Sequence, residues 1–195
     1  MINNLLDRSK SIFENDFLLK KSQISEEVLQ STFVVVGGAG TIGSSVVKLL
    51  VFLRAKKIHI VDISENNLVE LIRDIRSSNE DIVTEIETYA MDCNSQEFVK
   101  FFKKQRSIDY LLNFSALKHV RSERNIYTLK RLVDVNIINS VNLLNLATEK
   151  GCKKYFCVST DKAANPLSMM GASKLLMEKV ILSQQTDLKV STARF

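Results

Sequence analysis

A short apolar run, FVVV at residues 33–36, empties directly into Gly37-Gly38-Ala39-Gly40-Thr41-Ile42-Gly43, and a segment of helical apolar spacing follows at once. Few folds place a strand, a glycine turn and a helix in immediate succession. Glycine lets the backbone turn tightly and approach an anion that a Cβ would hold off, while the helix behind it offers unpaired amide N–H groups. The turn fits GxGxxG through Gly38, Gly40 and Gly43, and GxxGxxG through Gly37, Gly40 and Gly43. Alone, such a cluster also makes ordinary turns. A second β-branched run, residues 57–61, ends at Asp62, about twenty residues beyond the turn, the spacing of an acid that accepts hydrogen bonds from a dinucleotide ribose. A carboxylate there repels a 2′-phosphate, so NAD is expected over NADP. The competing reading is that Asp62 caps the helix starting near Glu65. Asp92, after the third run, is a second candidate, facing the adenine.

Short β-branched or aromatic runs at residues 33–36, 57–61, 82–90, 110–112 and 155–158 read as strands. Segments 41–53, 65–76, 95–104, 129–150 and 168–184 carry apolar residues at helical spacing. Repeated strand–helix alternation implies right-handed crossovers and an α/β fold, a doubly wound parallel sheet of Rossmann type. Residues 190–195 read as a sixth strand. Residues 1–31 are expected to form a helical extension, with apolar residues such as Ile2, Leu5, Leu6, Phe13 and Leu18 at amphipathic spacing, and residues 32–195 the dinucleotide-binding domain.

Composition excludes several classes. No apolar run approaches the eighteen or so residues of a membrane span, and the polar start lacks a signal peptide's apolar stretch. Cys93, Cys152 and Cys157 give neither a disulfide framework nor a metal knuckle, so no metal is expected and a reducing cytoplasm is the expected home. The 27 Lys and Arg exceed the 22 Asp and Glu, for a net charge of +5. These cations are scattered without long runs, which fits a phosphorylated ligand and gives no nucleic-acid stripe.

Ligands of open α/β sheets bind at the carboxyl ends of strands. There, Ser159-Thr160-Asp161-Lys162-Ala163-Ala164-Asn165-Pro166 supplies a hydroxyl, an acid and a base in succession, and Met170-Gly171-Ala172-Ser173-Lys174 opens the next helix. The glycine turn, Asn113-Phe114-Ser115-Ala116-Leu117-Lys118-His119-Val120, Asn136 and these two segments occur in order. Together they resemble the extended short-chain dehydrogenase/reductases, and among them the CapD-like nucleotide-sugar 4,6-dehydratases of polysaccharide biosynthesis. The resemblance runs from about residue 33 to residue 195.

It implies a lyase acting on UDP-N-acetylglucosamine, in which hydride leaves C4 for NAD, water is lost across C5 and C6, and hydride returns to C6. By resemblance Asp161 is the acid, Lys162 the base, and Thr160 orients or relays the C4 hydroxyl proton. Lys174 holds the nicotinamide ribose. Gly37, Gly40, Thr41, Ile42, Gly43, Asp62, Asp92, Ser115 and Ala116 contact cofactor, and Lys118, His119 and Asn165 contact the UDP-sugar. The acid role calls for an Asp161 pKa raised by burial, and the base role for a buried or positively surrounded Lys162.

Two departures stand out. The superfamily's Tyr-x-x-x-Lys reads Met170-x-x-x-Lys174, which matches the long dehydratases of the group. The family also continues past Phe195 into a sugar-binding domain that these residues do not include. The resemblance also implies a homo-oligomer, since helices such as segment 129–150 often form dimer faces in the superfamily. The alternatives are a nucleotide-sugar epimerase or reductase, and a non-catalytic NAD-binding module.

Overall fold

β1, Thr32–Val36, is buried along its whole length, and the four residues after Thr32 are all apolar, as a strand covered on both faces requires. The computed structural model describes residues 14–78, 81–118 and 123–195. Around β1, five further strands form one parallel sheet: β2 (Lys57–Asp62), β3 (Glu85–Ala90), β4 (Tyr110–Asn113), β5 (Lys154–Ser159) and β6 (Lys189–Arg194). Their spatial order is β3-β2-β1-β4-β5-β6. The order reverses between β1 and β4, the point where such sheets open a crevice.

Alternate β1 side chains face different layers. Val34 and Val36 pack with α4 (Gln96–Lys104), α6 (Asn139–Lys150) and α7 (Met169–Ser183) through Phe98, Phe102, Leu143, Leu144, Met177 and Ile181. Phe33 and Val35 pack with α1 (Glu14–Leu29), α2 (Thr41–Phe52) and α3 (Glu65–Ser78) through Val28, Val47, Leu50, Leu68, Leu71 and Ile75. Each such fully buried side chain contributes roughly 1.5–3 kcal/mol of transfer free energy. Helices on both faces confirm the doubly wound α/β sheet.

Two elements differ from expectation. β3 begins at Glu85 rather than residue 82. The single helix expected over 129–150 is three pieces: α5 (Ile126–Val133), a π-helical turn (Asp134–Ile138) and α6. In the extension, α1 docks through Val28, while Glu27 accepts a hydrogen bond from the Tyr110 hydroxyl and lies 3.5 Å from Lys154 Nζ. The apolar positions expected at Ile2, Leu5, Leu6 and Phe13 lie outside the described residues.

His59, in the middle of β2, is buried and structural. Its ring lies 3.1 Å from Glu87 on β3 and edge-on to Phe101. Lys57 ties the same strands by reaching Glu85 and Glu87 at 2.6 and 2.8 Å.

Candidate active site

One cleft of about 470 Å³ runs along the carboxyl ends of β1 to β5. Its first wall is the glycine turn. Gly37 sits at φ +69°, a left-handed conformation that side chains disfavour. A Cβ on Gly43 would strike the Gly37 carbonyl oxygen. The amides of Gly37 and Gly38 donate to Val61 O at 2.8 and 3.2 Å, fixing the turn to the end of β2. Ser95 and Ser168 cap α4 and α7 with their hydroxyls, whereas α2 opens on Gly40 without a side-chain cap. The first amides of α2 are therefore free to meet an anion.

Asp62 stands beside this turn. One carboxylate oxygen accepts from Ala39 N at 3.0 Å and the other from Ser64 N at 3.0 Å. The cap of α3 is Ser64, whose hydroxyl accepts from Asn67 N at 3.3 Å. Asp62 is thus joined to the glycine turn and not confined to capping. Asp92 and Cys93, from the end of β3, line the same end of the cleft. Burial and the Asp92 charge push the Cys93 thiol up to about 11, so it stays protonated.

The loop after β4 forms the roof. Asn113, fully buried, accepts from Ser115 N and Oγ at 3.0 and 2.6 Å. Asn136 accepts from Leu117 N and donates to Leu117 O, each at 3.0 Å, and also donates to Ser173 Oγ at 3.0 Å. The π-turn aims this amide inward, so one side chain joins the loop to the first turn of α7. Ser115, Ala116 and Lys118 line the cleft. His119 lies outside the described residues.

At the far end, Thr160 leaves β5 extended and caps a 3-10 turn, Asp161–Ala163. Its hydroxyl donates to Asp161 Oδ1 at 3.0 Å, and Lys162 Nζ lies 3.3 Å from the same oxygen. Thr160 and Lys162 line the cleft; Asp161 and Asn165 do not, and both are exposed. The burial expected of the acid and base is absent here, since their side chains are 73% and 58% exposed. Instead of being raised, the Asp161 pKa is lowered, first by the Thr160 hydrogen bond and then by Lys162. Hydrogen bonds to the charged form outweigh desolvation in an open turn.

Lys174 is the buried member. It is 3% exposed, donates to Val158 O at 3.0 Å, and its pKa is depressed by burial despite nearby Glu178. Gly171, three residues earlier, touches the Lys162 peptide so closely that a Cβ would lie 2.6 Å from Lys162 O. Met170 faces the cleft where the superfamily carries tyrosine, and its amide donates to Glu123 at 2.9 Å. No tyrosine lines the cleft among the described residues.

Residues that sequence reading missed come from the α5–α6 side. Arg131, Val135 and Asn139 line the cleft at intervals of one helical turn. That spacing was available in the sequence, but nothing marked which face turns inward. Also unmarked was the junction of Ser159, Glu178 and Arg194, where Arg194 meets both Glu178 oxygens at 2.9 and 2.5 Å and ties β6 to α7.

These residues fit a dinucleotide. The glycine wall has no room for side chains, the α2 amides await an anion, and Asp62 retains acceptor capacity beside them.

Residues 33–195 match the family described as polysaccharide biosynthesis protein. An uncharacterised membrane protein of Methanocaldococcus jannaschii, MJ1061, is 34% identical over 160 residues, covering 82% of this chain and 45% of that protein. The capsular polysaccharide biosynthesis protein CapD of Staphylococcus aureus is 27% identical, with coverage of 87% and 28%. A UDP-N-acetylglucosamine 4,6-dehydratase (inverting) of Campylobacter jejuni is 31% identical over 90 residues, covering 46% and 26%. Among solved structures, Pen from Bacillus thuringiensis superposes with a TM-score of 0.74 at 26% identity, over 86% of this chain and 51% of that one. A UDP-glucose 4-epimerase of Thermotoga maritima, at 24% identity and a TM-score of 0.66, shares the fold over 84% and 54%. The chain spans less than half the length of these curated relatives. No helix among the described residues is long and apolar enough to cross a membrane.

Proposed function

Since this chain belongs to the polysaccharide biosynthesis protein family, a CapD-like group of extended short-chain dehydrogenase/reductases, we propose that it carries the cofactor site and proton-transfer residues of a nucleotide-sugar 4,6-dehydratase. The proposed substrate is UDP-N-acetylglucosamine, the cofactor NAD and the setting the cytoplasm. The observation that carries this reading is Thr160-Asp161-Lys162 at the end of β5, pressed against the helix of Lys174, with Met170 in place of a phenol.

When bound, NAD would take the hydride from C4 of the sugar and return it to C6. The chain's own residues handle the protons. Thr160, whose hydroxyl lies in the cleft, orients the C4 hydroxyl; an unassisted threonine is a weak base, so the proton passes onward through a water or a ribose hydroxyl. Lys162 removes the C5 proton, acidified by the neighbouring ketone. Asp161 delivers a proton to the departing C6 hydroxyl. That role requires a sugar docked over β5, displacing water and the hydrogen bonds that now hold the carboxyl low. Lys174, already buried, holds the nicotinamide ribose. Asp62 selects NAD over NADP, and Lys118, His119 and Asn165 serve the substrate. Homo-oligomerisation through segment 129–150, which carries exposed Ile138, belongs to the same proposal.

The test is product analysis after incubating the protein with UDP-N-acetylglucosamine and NAD. A 6-deoxy-4-keto sugar, formed without net reduction of NAD, supports the reading. A 4-epimer would move the chain to the epimerases, and unchanged sugar with retained NAD binding would make it a binding module.

A further inference from the structure

Charge is unevenly placed along the cleft. Asp62 ends β2 and Asp92 follows β3, whereas Lys118, Lys162 and Lys174 follow β4 and β5, and Arg131 joins the lining from α5. Three of these cations have assigned roles in cofactor or sugar handling. Arg131 has none. It projects from α5 and lines the cleft on the same helical face as Val135 and Asn139. Its guanidinium makes no ion pair with a described carboxylate, and it remains exposed.

An unpaired guanidinium facing an open cleft is a fork of donors without acceptors. A diphosphate matches that fork bidentately, better than a hydroxyl or an amine does. Across the cleft, the uncapped first turn of α2 and the glycine turn present their amides. We infer that Arg131 is a binding residue for the pyrophosphate of the dinucleotide, closing on it from the α5 side while the α2 amides hold it from below. The inference rests on the dinucleotide reading of the cleft and adds a residue to it. Arg131 here acts on affinity; it touches no reacting atom.

The experiment is calorimetric titration of the protein and its Arg131→Gln and Arg131→Lys variants with NAD, ADP-ribose and adenosine, each at two salt concentrations. Arg131→Gln is expected to weaken NAD and ADP-ribose about tenfold, with a smaller salt dependence, and to leave adenosine unchanged. Arg131→Lys should recover part of the loss. Equal weakening of adenosine would assign Arg131 to wall packing and overturn the inference. So would unchanged NAD affinity, including the case in which only UDP binding falls. A parent protein that binds neither NAD nor NADP would overturn the dinucleotide reading and this inference together. Parent binding with an unaffected Arg131→Gln overturns the Arg131 assignment alone.

Discussion

The two ends of the cleft are built by different means. The cofactor end is made of backbone: a left-handed Gly37, a Gly43 packed on a carbonyl, free amides of α2, and Asp62 locked by two N–H groups. The reaction end is made of side chains, and two of the three proposed proton handlers stand mostly in water. Lys174, beside them, is buried. The first end is preorganised by the fold; the second takes its working environment from the molecule that docks on it. A site divided in this way should lose binding and chemistry through separate substitutions.

The sharpest break is Lys162→Ala. It should lower turnover by about 10²–10⁴-fold, the usual worth of a positioned base, while NAD affinity stays at its parent value. Calorimetry beside a turnover assay checks both. If NAD affinity falls in parallel, the two ends are one unit and the comparison fails.

A smaller effect belongs to Asp62→Ala. Loss of one charged acceptor should weaken NAD about tenfold and narrow the preference over NADP, with turnover at saturating NAD little changed. Unchanged affinity for both dinucleotides would return Asp62 to a purely structural role.

Acid should act least, and on the cofactor end first. Glu87, held at about 2 chiefly by Lys57 and Tyr89, and His59, kept neutral by burial, both join β2 to β3. Both folded-state pKa values lie below the unfolded ones. Their contribution is therefore complete above about pH 6.5 and declines as pH falls, through the histidine range first and then from about 4.5 toward 2. Glu87 is partly exposed, so the loss is on the order of 1 kcal/mol or less. Hydrogen exchange at pH 7 and pH 4 should show β3 amides losing protection before those of β5. The reverse order would contradict this placement.

Sequence and structure agree best where backbone constraints leave a mark in residue type. Glycine spacing, β-branched runs and Ser95 or Ser168 before a helix are local signals, and those elements fall within a few residues of expectation. The π-turn is different. It exists because Asn136 turns inward to reach the Leu117 backbone and Ser173, a contact made across distant segments. The apolar period through residues 129–150 carries no sign of it. Exposure was also illegible: Thr160-Asp161-Lys162 announces chemistry by composition, but whether its carboxyl is raised or lowered depends on burial that no spacing encodes. Arg131 shows the same limit, as one cation among many until its helix face is known.

The central claim is that one cleft couples dinucleotide binding to proton removal at C5. Proton NMR of UDP-N-acetylglucosamine with the protein and NAD in heavy water tests it most directly. The account predicts a 6-deoxy-4-keto sugar bearing deuterium at C5. A sugar that is turned over with its C5 hydrogen unexchanged would contradict it.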